Sequence, residues 1–275
     1  MKMMKERKIK RFVCKHDPVM SMVAGSFCLP KEDDSKPLGE DSHFILESAN
    51  AIGVADGVGG WSRRGIDAGD YSRELMRNVV AAIKNRRRKG PVEDLKSVLT
   101  EAFSNTEAKG SSTACILTLS GRTLRAVNVG DSGFVVIRGG KIVYRSATQQ
   151  RKFNHPYQLG KASRCDTPDV AEEMAVEVES DDLIVAGTDG LFDNMFPGEI
   201  EEVVRVCVEA EEQNEPESVA WSLAKIARQI SFDGNKCTPF TVAAHEAGLK
   251  HFGGKYDDVT VVVAYVIPGR PPLEY

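Results

Sequence analysis

The chain has 275 residues, of which 41% are hydrophobic and 28% are charged, and its formal net charge is −4. This length is near the upper limit for one hydrophobic core, and the hydrophobic fraction is too high for a disordered chain. The mild acidity argues against nucleic acid or a membrane surface as a partner, because both attract a basic face. The apolar run at residues 259–267 is too short to span a membrane.

The cysteines and histidines show no catalytic or zinc-binding spacing. The six cysteines are widely separated and include no C-x-x-C pair, which favours a reducing, intracellular compartment over a disulfide framework. None lies in the H-C-x5-R setting of a thiolate that transfers phosphate, and the five histidines include no H-E-x-x-H. We therefore expect acidic residues to carry any chemistry.

Both ends of the chain are expected to lie outside the folded domain. Residues 1–20 are basic and lack the apolar region of a secretory signal, so the sequence predicts a flexible N-terminal segment rather than a targeting sequence. Residues 269–275 are predicted to form a C-terminal tail. Residues 29–39, with two prolines, a glycine and a charge run, predict a loop.

Strand and helix patterns separate well along the rest of the chain. The predicted strands are residues 43–47, 51–55, 113–119, 123–129, 133–138, 141–145, 174–179, 182–186 and 259–267. The predicted helices are residues 67–87, capped by Asp67, a second beginning at Pro91, and three more near 200–207, 219–230 and 238–252. Runs of antiparallel strands with paired helices indicate α+β layers rather than a doubly wound sheet.

Five acidic motifs occur at strand ends. They are Glu40-Asp41, Asp56-Gly57, Asp131, Asp189-Gly190 with Asp193, and Asp257-Asp258. Each motif alone is typical of a turn. Strands of one core bring their ends to a common edge, however, and carboxylates held together there repel unless a cation lies between them. Ligands that are all oxygen select Mg²⁺ or Mn²⁺, and glycine next to aspartate would let the backbone approach the ion or a bound water.

In this order, GEDSHF, VADGVGGW, GSSTA, VGDSG, GTDGLFDN and YDDVTVVV resemble the motifs of the metal-dependent Ser/Thr protein phosphatases of type 2C, over roughly residues 25–267. The ADGVGGW motif and residues 149–160 resemble a subgroup that is rich in plant members and includes organellar phosphatases. The resemblance implies a four-layer α-β-β-α sandwich of two antiparallel sheets flanked by helix pairs. It makes residues 21–268 the catalytic domain, with a variable flap at about 195–250.

The resemblance also assigns roles to the acids. Asp56 matches the residue that bridges two metal ions, and Gly57 matches the glycine whose carbonyl binds one of them. Asp189 matches the second strand-end ligand. Asp257 matches the metal ligand of the acidic pair that opens the last strand. Asp258, at the second position of this pair, is a further candidate metal ligand.

Three further acids complete the implied metal site. Glu40 matches the acid that holds the second ion, partly through water. Asp131 and Asp193 match a pair that, with Asp189, can hold a weaker third ion. The implied cofactors are therefore two Mg²⁺ or Mn²⁺ ions with room for a third.

The implied reaction is hydrolysis of phosphoserine or phosphothreonine without a covalent intermediate. Two ions about 4 Å apart lower the pKa of a shared water, and the resulting hydroxide attacks phosphorus in line. The implied partner is a phosphorylated protein, and we expect a monomer. Asp56 and Asp189 are the residues expected to carry the chemistry.

The sequence departs from well-known members of the family at two positions. Val58 stands where many have a histidine that acts as general acid, so we expect water to protonate the leaving alkoxide. The arginine that grips phosphate is also absent, and Lys36, four residues before Glu40, is the candidate to replace it. Arg63 and Arg64 are further candidates for phosphate binding, with solvated surface as the alternative.

Two other functions stay open at this point. One is a catalytically inactive relative that uses the fold to bind a partner, and the other is a phosphatase of a small phosphorylated metabolite. Inactive relatives usually lose metal-binding acids, and this chain keeps all of its strand-end acids. The sequence therefore favours an active protein phosphatase.

Overall fold

The structure is a computed structural model that describes residues 20–32, 36–88, 90–210 and 214–269. The predicted N-terminal segment, apart from Met20, and nearly all of the predicted C-terminal tail lie outside these residues. Among the described helices, none is long and apolar enough to cross a membrane.

Strands and helices alternate in groups along the described part of the chain. In chain order the strands are β1 (Met20–Leu29), β2 (Asp41–Leu46), β3 (Ala51–Asp56), β4 (Ala114–Ser120), β5 (Thr123–Val129), β6 (Gly133–Arg138), β7 (Lys141–Arg145), β8 (Gln150–Lys152), β9 (His155–Pro156), β10 (Glu172–Glu177), β11 (Leu183–Gly187) and β12 (Val259–Pro268). The helices are α1 (Ala68–Arg87), α2 (Leu95–Asn105), α3 (Asp189–Phe192), α4 (Pro197–Glu209), α5 (Pro216–Ser231) and α6 (Pro239–Glu246).

Two five-stranded antiparallel sheets form the centre of the molecule. Their strand orders are β1-β12-β11-β6-β7 and β10-β5-β4-β3-β2, and β8 and β9 form a small separate hairpin. Residues from the facing sides of both sheets share one buried cluster. The α1–α2 pair packs on the outer side of the second sheet, and α4 and α5 pack on the outer side of the first. The predicted four-layer α-β-β-α sandwich is confirmed.

Strand β12 is apolar throughout because both of its faces are buried. Val261 and Val263 belong to the cluster beneath α4 and α5, whereas Val262 and Ala264 belong to the cluster between the sheets. Because β12 lies inside its sheet and both of its faces are covered, it lacks the alternation of apolar and polar residues that a half-exposed strand shows.

Most predicted elements are confirmed. Helix α1 begins at Ala68, and the Asp67 side chain accepts a hydrogen bond from the Gly69 N–H, as predicted for its N-cap. The β6–β7 hairpin turns at Gly139-Gly140, where both residues have positive φ angles of 55° and 76°. A two-residue turn of this kind requires left-handed backbone, which glycine adopts without strain.

Two predicted helices have wrong bounds. Helix α2 begins at Leu95 rather than Pro91, because the Asp94 side chain caps it by accepting from the Ser97 N–H. The helix predicted over residues 238–252 ends at Glu246, and Gly248 after it has a φ of 74°.

Three strands were not predicted: β1, β8 and β9. Strand β1 pairs along its whole length with β12, a partner more than 200 residues later in the chain, so no local pattern marks it.

Candidate metal centre

Three of the predicted acids meet at one edge of the sandwich. Asp56 ends β3, Asp131 follows β5, and Asp189 follows β11 at the start of α3. One carboxylate oxygen from each lies within 4.8 Å of those of the other two. Because β3 and β5 belong to one sheet and β11 to the other, the site is assembled where the two sheets face each other.

The short helix α3 brings a fourth acid to this edge. The Asp193 N–H donates to the Asp189 carbonyl at 2.7 Å, which closes one helical turn between them. Residues four apart in a helix share a face, so both carboxylates point to the same side.

Asp56 is held by residues that the sequence analysis gave no role. Its backbone N–H donates to the Thr113 hydroxyl at 2.9 Å, and its carbonyl accepts from the Thr113 N–H at 2.9 Å. The Thr113 hydroxyl is in turn 2.6 Å from the Ser132 hydroxyl. The GSSTA motif thus fixes the end of β3, and its position beside Asp56 becomes visible only when β3 and β4 are paired.

Two lysines that the sequence analysis missed lie among the acids. The Lys255 ammonium contacts Asp189, is 2.9 Å from an Asp193 oxygen and is 3.3 Å from an Asp257 oxygen. The Lys31 ammonium is 2.6 Å from the other oxygen of Asp257. These ion pairs link Asp193 and Asp257 to the cluster. Lys255 lies only two residues before Asp257, which was the available sequence clue.

Glu40 is buried and paired with the lysine expected to bind phosphate. A Glu40 carboxylate oxygen lies 2.7 Å from the Lys36 ammonium. The Glu40 carbonyl accepts from the Gly57 N–H at 3.0 Å, which joins the loop after β3 to the loop before β2. Glu40 and Gly57 are thus neighbours.

Both carboxylate oxygens of Asp258 are taken up by backbone groups. Its two oxygens accept hydrogen bonds from the backbone N–H groups of Lys31 and Glu40, the latter at 2.7 Å. Its side chain is buried. The residue therefore anchors the loop that carries Glu40 to the start of β12, while Asp257 faces the lysines.

Arg63 and Arg64 are exposed in the turn at Gly59–Arg64. The Arg64 guanidinium lies 5.5 Å from the Trp61 ring centroid, and the Arg164 guanidinium lies 4.5 Å from the same centroid. Among the described contacts, none joins Arg63 or Arg64 to the carboxylates.

Asp41 is a further acid of the site, and the sequence analysis named it only as part of the Glu40-Asp41 motif, without a role. It lies directly opposite Asp56 in the β2–β3 register. One of its oxygens accepts from the Thr188 hydroxyl at 2.8 Å. The alternation of a strand puts cross-strand partners on the same face, which is how Asp41 could have been found.

The donor set fits a hard divalent cation. One carboxylate oxygen each of Asp41, Asp131 and Asp189 is buried without a hydrogen-bond partner. Buried polar atoms without partners are rare and costly, and a Mg²⁺ or Mn²⁺ ion bound by oxygen ligands would satisfy them.

Burial and mutual repulsion shift the acids toward the protonated form. Burial raises the pKa of Asp56 well above its ordinary value, and the Asp189 carboxylate raises it further. Burial also raises the pKa of Asp131 to about 6 and that of Asp41 to about 8. A cluster that resists ionisation in this way favours a bound cation.

Asp257 behaves in the opposite way. Burial alone would raise its pKa, but the ammonium groups of Lys255 and Lys31 hold the pKa below its ordinary value. Asp257 is therefore ionised and already paired with cations at neutral pH.

These shifts predict a pH dependence that metal ions reverse. Because the folded-state pKa values of Asp131 and Asp41 exceed the unfolded value of about 4, their protonation stabilises the metal-free fold fully below about pH 4. This contribution is lost as the pH rises through about 6 and then about 8. In chelator, the urea midpoint should therefore fall over this window.

Saturating Mn²⁺ should flatten that fall, because the ion replaces the protons. Calorimetric titration in buffers of different ionisation enthalpy should detect protons released on Mn²⁺ binding. Identical pH profiles with ion and with chelator would contradict this account.

The chain is similar to several known phosphatases. A protein of Arabidopsis thaliana named Probable protein phosphatase 2C 55 is 48% identical over 251 residues, which are 91% of this chain and 53% of that protein. The Homo sapiens Protein phosphatase PTC7 homolog is 38% identical over 242 residues, which are 83% of this chain and 79% of that protein. The X-ray structure of the photosystem II phosphatase PBCP is 30% identical, with a TM-score of 0.81, over 90% of this chain and 100% of that one. No protein-family model matches the chain.

The four-layer sandwich is therefore the fold of a known phosphatase structure. The chain belongs to the protein phosphatase 2C family, as its motifs predicted. It spans about half of the length of the Arabidopsis relative, 53%. The narrower resemblance to a plant-rich subgroup stays a prediction.

Proposed function

We propose that this chain is a metal-dependent protein serine/threonine phosphatase. The observation that carries the proposal is the cluster of Asp56, Asp131 and Asp189, whose carboxylate oxygens converge within 4.8 Å at one edge of the sandwich. Family membership supports the reaction class. The intact set of acids is why we favour an enzyme over a relative that only binds partners.

We assign two Mg²⁺ or Mn²⁺ ions to Asp56, the Gly57 carbonyl, Glu40, Asp189 and Asp257. When bound, these ions would lower the pKa of water for attack on phosphorus and neutralise the phosphoryl oxygens.

Other residues of the chain hold this donor set in place. Thr113 fixes the backbone of Asp56, and Asp258 holds the Glu40 loop against the start of β12. The family resemblance would let Asp131 and Asp193 hold a further ion with Asp189, but the Lys255 ammonium lies 2.9 Å from an Asp193 oxygen at that position. The Gln150 amide donates to Asp131 at 2.9 Å and orients that carboxylate.

On the substrate side, Lys36 is the proposed phosphate contact. Its ammonium is paired with Glu40 at the edge of the site, and its side chain is 16% exposed. The side chain of Val58 has no titratable proton, so we assign protonation of the leaving alkoxide to water. Arg63 and Arg64 remain candidates for contact with the rest of the substrate, since both are exposed.

The proposed partner is a phosphorylated protein, and we propose that the chain acts as a monomer inside the cell. Five cysteines are free among the described residues, which agrees with a reducing compartment.

The test is phosphate release from a phosphothreonine peptide with Mn²⁺, with Mg²⁺ and with chelator. We expect release that requires an ion and is lost in Asp189→Asn, but not in the matched control Asp169→Asn, which alters an exposed aspartate. Folded protein without release under any ion would favour the partner-binding relative. Release from small phosphorylated metabolites but not from the peptide would favour the metabolite phosphatase.

A further inference from the structure

The Lys255 ammonium lies inside the acidic cluster rather than at its rim. It contacts Asp189, lies 2.9 Å from Asp193 and 3.3 Å from Asp257, and its side chain is only 13% exposed. The same nitrogen lies over the face of the Phe240 ring, 5.4 Å from the ring centre. Lys255 is thus a buried cation with three carboxylate partners.

The backbone around Lys255 is built to keep it there. Asn194 is fully buried, and its side-chain amide both accepts from the Lys255 N–H and donates to the Lys255 carbonyl, each at 2.9 Å. The same amide donates to the Gly190 carbonyl at 2.9 Å. One asparagine side chain therefore ties Lys255 to the helical turn that carries Asp189 and Asp193.

The carboxylate oxygens of this edge fall into two groups. Those of Asp189 and Asp193 that face Lys255 are already neutralised by its ammonium. The other oxygen of Asp189 and one oxygen of Asp131 are buried without a partner. An ammonium and a divalent ion cannot share one position, because both repulsion and overlap forbid it.

We propose that Lys255 is the resident cation between Asp189 and Asp193, so that no divalent ion binds between these two carboxylates and the chain binds one ion fewer than its carboxylates would otherwise hold. The two proposed ions would then use the Asp189 oxygen that does not face Lys255, together with Asp56, Gly57, Glu40 and Asp257. This inference rests on the proposed function, because it concerns the same metal centre. It denies the weaker third ion that the family resemblance allows at Asp131, Asp189 and Asp193.

The test is the number of Mn²⁺ ions bound per chain, measured by equilibrium dialysis and elemental analysis on the whole protein. Lys255→Met should bind one more ion than the wild type, because it empties the position between the two carboxylates. Lys255→Arg keeps a cation there and should leave the number unchanged. Lys250→Met is the matched control, since Lys250 is an exposed lysine five residues earlier.

A second variant tests the same point without removing the buried lysine. Asp193→Asn should leave the number of ions unchanged if Lys255, and no metal, is the partner of Asp193. Loss of one ion in Asp193→Asn would overturn the proposal, as would an unchanged or lower number in folded Lys255→Met. If Lys255→Met fails to fold, the Asp193→Asn count decides.

The two proposals fail in different ways. A wild-type chain that binds no Mn²⁺ would remove the metal-dependent function itself. A wild type that binds Mn²⁺ and releases phosphate, beside a Lys255→Met variant with no additional ion, would remove only the role of Lys255.

Discussion

Replacing Asp56 by asparagine is expected to lower metal-dependent phosphate release by about a thousandfold. The charge stabilisation that a metal ion gives a transition state is worth several kcal/mol, and about 1.4 kcal/mol corresponds to a factor of ten in rate. Asp56 is the cluster residue whose backbone is clamped on both sides by Thr113, so asparagine should keep the shape of the site. What it removes is the charge of a ligand.

The same substitution should leave the metal-free protein at least as stable as the wild type. Burial and the neighbouring acids raise the pKa of Asp56, so its ionised form is unfavourable without a cation. In chelator, the thermal midpoint of Asp56→Asn should therefore equal or exceed that of the wild type, whereas the stabilisation by Mn²⁺ should shrink. Activity would then be lost without loss of the fold.

Asp181→Asn is the control for this experiment. Asp181 is exposed before the start of β11, at the end of that strand opposite to Asp189, and its φ of 69° is a conformation that asparagine tolerates. It should retain full activity and full stabilisation by Mn²⁺. An Asp56→Asn enzyme with activity within a few-fold of the wild type would mean that Asp56 does not bind the ions used in catalysis.

The strand-end acids could be predicted because their information is local. A β-strand followed by Asp-Gly can be recognised in a few residues, and the layered fold then brings strand ends together. The sequence alone therefore predicts Asp56, Asp131 and Asp189 as site residues, and the three carboxylates converge in the structure.

The residues that support these acids could not be predicted in the same way. Lys255 and Asp189 are 66 residues apart, and the Glu40 N–H and Asp258 are 218 apart. Whether a lysine reaches a carboxylate across such a distance depends on how the loops between layers pack, which no periodicity encodes. Strand β1 was not predicted for the same reason, because its pairing partner β12 lies at the far end of the described chain.

Gly190, beside Asp189, shows most clearly what the local sequence could not predict. The Asp-Gly sequence at 189–190 suggested that the backbone approaches a metal ion or a water. In the structure, a Cβ atom placed on Gly190 would lie 1.9 Å from the Asp258 carbonyl oxygen and 3.2 Å from the Val259 Cα. The close approach is therefore between two backbone segments, and it presses α3 against the start of β12.

Gly190→Ala is consequently expected to reduce the free energy of unfolding by about 3 kcal/mol or more. Overpacking usually costs about 1–3 kcal/mol, and here the obstructing atom is a backbone carbonyl that cannot rotate away like a side chain. Any relief must separate Asp189 from Asp257, so affinity for Mn²⁺ should fall together with stability. Urea unfolding in chelator and a Mn²⁺ titration of the folded variant measure the two effects separately.

Gly198→Ala is the matched control, with an effect of opposite sign. Gly198 lies in α4, and a Cβ there would meet no atom within 4 Å. Alanine should therefore raise the free energy of unfolding by up to about 1 kcal/mol through helix propensity, without changing metal affinity.

A Gly190→Ala variant that matched the wild type in both measurements would contradict this account, because the contact between α3 and β12 would then have room for a methyl group. In that case the Lys255 ammonium, which contacts both Asp189 and Asp257, would hold these two acids together instead of the backbone.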